Sequence, residues 1–136
     1  MPQPQLETLD HLVLTVGDIN RTTAFYGDVL GMRAEQFETA GGERRWALNY
    51  GRMKINLHQA GREFEPKAAF PTPGSADLCF LTRSPLAEWE RHLNAHSVTI
   101  EEGPVQRSGA MGPITSLYIR DPDGNLIEIA VEDATS

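Results

Sequence analysis

Four side chains in this sequence have the types and placement for metal chemistry. His11, His58, Asp77 and Glu128 each fall on a separate stretch that alternates apolar and polar residues. Strand side chains alternate between two faces. Leu12, Leu14 and Val16 therefore share one face of the first stretch, and His11, Val13 and Thr15 the other. Likewise Asn56 and His58 lie opposite Ile55 and Leu57, Asp77 and Cys79 opposite Leu78 and Phe80, and Glu128 opposite Ile127 and Ile129. If four such strands curl together, two imidazoles and two carboxylates converge. Imidazole suits zinc, nickel or iron, and carboxylate also admits manganese. A divalent ion with an open position polarises a substrate oxygen or acidifies a bound water. Glu128 is the most informative of the four. It interrupts the apolar run Leu126–Val131, and a buried carboxylate needs a partner or a cation. Taken singly, a histidine at the start of a strand is more often capped or exposed than a ligand, and Asp77 also suits a linker cap. His92 and His96 stand at i, i+4 on a second helical stretch. The core stripe there, Leu86, Trp89 and Leu93, turns them toward solvent.

The elements that would position these residues form a weak internal duplication. Residues 9–16 predict a strand, Asp18 an N-cap, Ile19–Leu30 a helix, and Gly31 its stop. Strands over 32–39, 43–50 and 53–59 complete a β-α-β-β-β first half. The second half starts again with a strand at 76–82. Ser84 and Pro85 then open a helix. Strands follow over 98–101, 114–120 and 126–131, the last two joined by the turn Asp121-Pro122-Asp123-Gly124-Asn125. Residues 60–75 hold prolines and glycines and read as a linker; 103–113 read as a long loop and a candidate lid.

Composition narrows the partners. With 136 residues the chain fits a single domain over 1–136, divided into module one (6–60), a linker (61–75) and module two (76–132). Twelve basic residues face 19 acidic ones, a net charge of −7. Nucleic-acid binding needs a basic footprint, and a polybasic membrane patch is equally missing. No apolar stretch approaches a membrane span. Met1–Gln5 carries neither the basic nor the apolar region of a secretory signal. A single cysteine, Cys79, permits no intrachain disulfide. The expectation is a cytoplasmic protein with a small-molecule partner, binding neither nucleic acid nor membrane.

Three segments carry a family resemblance: Leu9–Val16, Phe25–Met32 and Asp121–Glu128. With the duplicated layout they resemble the vicinal oxygen chelate superfamily of glyoxalases, bleomycin-resistance proteins and extradiol dioxygenases. Lys54–Gln59 and Phe64–Ala69 look more narrowly like the glyoxalase domain-containing protein five group. The resemblance covers about Leu6 to Val131 and implies an α+β fold of two βαββ modules forming a metal-holding cup.

It further implies a divalent metal ion (zinc, nickel, manganese or iron) held by His11, Glu128 and one of Asn56 or His58, with His58 favoured because an amide is a poor ligand. Asp77 stands where glyoxalase I and the dioxygenases carry histidine. This leaves it as a fourth ligand or a carboxylate orienting an imidazole. The implied activity is a glyoxalase-like lyase or isomerase on a small substrate with vicinal oxygens, with Glu128 moving a proton. An extradiol-type dioxygenase and a metal-free drug-sequestering protein are the alternatives. Arg45, Lys54 and Arg107 are candidates to grip an anionic substrate, with Asn56 as a polar contact. A homodimer is implied as well.

Overall fold

The computed structural model describes residues 3–134. The opening Met1-Pro2 of the segment inspected for a signal lies outside them. The chain divides into two compact units, the first running to Pro71 and the second starting at Thr72. Each unit is βαβββ.

The first unit comprises β1 (His11–Val16), α1 (Ile19–Asp28), β2 (Arg33–Glu38), β3 (Arg44–Tyr50) and β4 (Met53–Gln59). Its sheet runs β1-β4-β3-β2, with β1 parallel to β4 and the other pairs antiparallel. A parallel pair needs a crossover, and α1 begins it. Asp18 caps this helix, its Oδ1 accepting from Asn20 N at 2.8 Å and Arg21 N at 3.2 Å. Gln59 anchors the same corner: its side chain accepts from Ile19 N and donates to Gly17 O at 2.7 Å. The apolar face, with Val16, Leu48, Ile55 and Leu57 excluded from solvent, packs with Tyr26 of α1. Burying side chains of this size is worth about 1.5–3 kcal/mol each.

The second unit comprises β5 (Asp77–Leu81), α2 (Leu86–Ala95), β6 (Glu102–Ser108), β7 (Pro113–Arg120) and β8 (Leu126–Glu132). Its sheet runs β5-β8-β7-β6, repeating the first topology. Its fully buried core is Leu93, Leu117, Ile119, Ile127 and Ile129. A buried knot aligns β5 with β8. Asp121 Oδ1 accepts from the Asp123 and Asn125 amides, Asp121 Oδ2 accepts from Asn125 Nδ2, and Asn125 Oδ1 accepts from Ala76 N at 2.9 Å.

Two sequence expectations are corrected in this unit. The strand predicted at 98–101 is irregular, and a strand occupies 102–108, where a long loop was expected. Gly103 and Pro104 mimic loop punctuation, but β6 is an edge strand, where a residue without an N–H is tolerated. The register shifts between Glu102 and Val105 as it passes them. Gly103 adopts φ +118°, and a Cβ there would lie 2.4 Å from Ser116 O, so only glycine lets the backbones approach. The candidate lid shrinks to the tip between β6 and β7. Ser84 does not cap α2 either: Pro85 occupies the N-cap without a side-chain bond, and the Ser84 amide donates to Thr82 Oγ1.

Candidate functional site

The second unit holds a cavity of about 400 Å³ against its sheet, lined by β5, β7, β8 and the tip at Ser108–Met111. Strand pairing builds its floor. Glu128 on β8 is level with Cys79 on β5 and Tyr118 on β7, so all three project from one face. Ala130 and Ser116 form the neighbouring level. Ser116 is fully buried, and its Oγ donates to Glu128 Oε2 at 2.5 Å. The Cys79 thiol and the Tyr118 phenol stand on either side of Glu128, each on the strand paired with it. Leu81, Met111 and Ile114 supply apolar wall.

These contacts shape the local electrostatics. Partial burial, then the Glu128 and Asp77 charges, push the Cys79 thiol up to about 11. Burial also pushes the Tyr118 phenol up, and the Arg107 hydrogen bond partly offsets this. Both donors therefore stay protonated near neutral pH and face a carboxylate. Arg107 is engaged within the unit: Nε donates to Tyr118 Oη at 3.0 Å, and its terminal nitrogens donate to Gln106 O and Glu102. Asp77 starts β5, exposed, one level from Cys79 and paired in register with Leu126.

The raised thiol has a measurable consequence. At pH 8 the step from 9.0 to about 11 lowers the thiolate population about 100-fold. The greater nucleophilicity of a more basic thiolate returns roughly tenfold. Metal-free protein is therefore expected to react with iodoacetamide at Cys79 about tenfold more slowly than a free cysteine peptide, as mass spectrometry of timed quenches would show.

The first unit gathers its polar residues on one sheet face. His11 pairs with Lys54, Val13 with Asn56 and Thr15 with His58. His11 and His58 are therefore four residues apart along the parallel register, with Asn56 on the level between them. This repeats the second unit: Glu128 stands two residues beyond the partner of Asp77, and Asn56 two residues beyond the partner of His11. His11 is half exposed, and its Nδ1 meets Asp10 Oδ1 at 2.9 Å. With the proton on that nitrogen, Nε2 keeps its lone pair. His58 is 4% exposed, edge-on to Phe64 at 5.6 Å. Burial and then the Arg45 charge hold its pKa below the usual histidine value, against an opposing pull from Glu63. It is neutral near pH 7, the form a metal needs. Asn56 is 9% exposed, and its Oδ1 is buried with no hydrogen-bond partner.

Each unit by itself offers donor types that a borderline divalent cation takes: the imidazoles of His11 and His58 and the unpaired amide oxygen of Asn56 in the first, and the Glu128 carboxylate held by Ser116 in the second. Among the described residues no group of three or more His, Cys, Asp or Glu side chains is close enough to hold a metal by itself. Ser116, Tyr118 and Cys79 are the site residues the sequence reading passed over. Their signal was present, since Ser116 and Tyr118 alternate with buried Leu117 and Ile119. Among the described residues no helix is long and apolar enough to cross a membrane.

Comparison with known proteins agrees with this architecture. The chain is 52% identical over 128 residues to the glyoxalase domain-containing protein RDO1 of Mycosarcoma maydis, covering 94% of this chain and 70% of that protein. It is 54% identical over 125 residues to the virulence protein STM3117 of Salmonella typhimurium, covering 92% of this chain and 84% of that protein. The crystal structure of STM3117 superposes with a TM-score of 0.90 at 52% identity, covering 96% of this chain and all of that one. Residues 8–129 match the Glyoxalase/Bleomycin resistance protein/Dioxygenase superfamily. With its repeated βαβββ units and this match over most of its length, the chain belongs to that superfamily.

Proposed function

We propose that the protein is a metal-dependent lyase or isomerase, cytoplasmic and homodimeric, acting on a small substrate with neighbouring oxygens. The observation that carries this reading is Glu128, a carboxylate in a cavity walled partly by Leu81, Met111 and Ile114 and braced by Ser116. A structural carboxylate needs no cavity beside it, whereas a proton shuttle does. His11, His58 and Glu128 are the proposed metal ligands, with Asp77 as a further ligand or orienting carboxylate. Zinc, nickel, manganese and iron are the fitting ions. When bound, the ion would act as a Lewis acid toward substrate oxygens. Glu128 would take the proton from the carbon beside a carbonyl and return it, while Ser116 keeps its carboxylate aimed.

Chelator-treated protein titrated with each ion is expected to bind about one equivalent per chain, and the loaded protein to exchange carbon-bound protons of hydroxyketones with deuterium. Binding below ~0.1 equivalent of every ion would sink the proposal. Affinity lost in Asn56→Ala but kept in His58→Ala would move that ligand to Asn56, which the register repeat favours.

A sequestering role is the second reading, favoured by the apolar side of the cavity. It expects tight retention of an apolar ligand in chelator-treated protein with no turnover. The dioxygenase reading would show as oxygen consumption with a catechol.

A further inference from the structure

In a chain of net charge −7, one face of the first unit carries two cations seated on aromatic rings and without ion pairs. The Arg45 guanidinium lies 4.2 Å from the centroid of Phe64, and Lys54 Nζ lies 4.5 Å from that of Phe37. Register puts them on one face. Lys54, Asn56 and His58 alternate along β4, the Trp46–Leu57 pair brings Arg45 beside His58, and Phe37 pairs with Arg45. Neither cation has an ion pair among the described residues. Arg45 Nε is buried with no acceptor. A buried donor left unpaired costs about 1–3 kcal/mol, and the neighbouring acids are otherwise engaged. Glu35 takes Arg33 and Asn49, and Glu63 takes the Gly61 amide. Ring contacts fix both cations without neutralising them, an arrangement that holds charge ready for an incoming anion.

We infer that Arg45 and Lys54 form an oxyanion subsite, and that the substrate is a small dianion, a phosphoryl or dicarboxylate compound. This rests on the metal-enzyme reading for its role but not for its binding. Chelator-treated protein is therefore titrated calorimetrically with inorganic phosphate and with malonate. Saturable binding of one or both is expected, the tighter probe identifying the source of the charge. Arg45→Gln and Lys54→Gln should each weaken binding about tenfold, the worth of one charged hydrogen bond. Arg91→Gln, which removes an exposed cation on α2, should leave it unchanged. Circular dichroism confirms folding, and Arg45→Lys restores part of the affinity if charge is the cause. No binding by the unmodified protein, or equal binding by the double glutamine variant, overturns the subsite. Intact metal binding in that case leaves the enzyme proposal standing, and anion binding with no metal uptake removes that proposal alone.

Discussion

Glu128→Gln is expected to lower turnover by about a thousandfold, within the range lost with a positioned proton-transfer group. The substitution keeps volume and removes charge, so the packing around it has little reason to change. One donor meets this side chain, the Ser116 hydroxyl, and the Tyr118 phenol and Cys79 thiol flank it on the paired strands. A carboxylate accepts the Ser116 bond with either oxygen, while an amide offers only one accepting oxygen and carries two donors of its own. Metal affinity should fall in parallel, because a neutral amide is a weak ligand. Cys79 supplies an independent readout. Its thiol is held up to about 11 by burial and then by the Glu128 charge, so the glutamine variant should alkylate faster in metal-free protein. Slower turnover with faster alkylation and an unchanged unfolding temperature assigns the loss to the carboxylate itself. Turnover close to the parent would remove Glu128 from the chemistry.

Most of the architecture was legible because the local signals were redundant. His11–Val16 combines alternation with β-branched residues, Asp18 marks the start of α1, and Asp121–Asn125 could hardly be anything but a turn. The sequence misled where one residue served two purposes. Gly103-Pro104 has the composition of a loop, yet Gly103 is there because β6 passes within contact of the Ser116 carbonyl, which depends on how β6 pairs with β7 and leaves no trace in local composition. Ser84 has the composition of a cap but its amide turns back to Thr82. The face each candidate residue occupies was legible in the sequence, and the level was less so. Alternation says which side chains share a face and says nothing of how far one strand has slid along another. The choice between Asn56 and His58 is of that kind: both face the same way, and only the pairing of β1 with β4 puts Asn56 at the position matching Glu128. Burial of an uncharged imidazole beside Arg45 depends on Phe64, which comes from the segment read as a linker.

Asn125→Ala is expected to cost about 3–5 kcal/mol of stability, far more than a turn residue usually commands. Asn125 is 1% exposed and both ends of its amide are used: Oδ1 holds the Ala76 amide ahead of β5, and Nδ2 holds Asp121 Oδ2 at 2.8 Å. Alanine would strand a backbone donor and take a partner from a carboxylate that is itself 6% exposed. Each loss carries a desolvation penalty of about 1–3 kcal/mol. For a chain of this length the sum corresponds to roughly 10–20 °C in unfolding temperature, which differential scanning calorimetry would resolve. Asn125→Asp separates the two bonds. It keeps the acceptor for Ala76 but sets a second carboxylate against Asp121, and two carboxylates at that distance do not both ionise readily. The paired carboxyls would then hold a proton in the folded state to a higher pH than in the unfolded chain. Stability of the aspartate variant should therefore be nearest to the parent in acid and fall as pH rises toward neutrality. The alanine variant would show no such recovery. The same knot sets the register of β5 against β8, and with it the level on which Cys79 meets Glu128. Loss of Asn125 should accordingly loosen the candidate site as well as the fold, and faster Cys79 alkylation below the unfolding transition would reveal it.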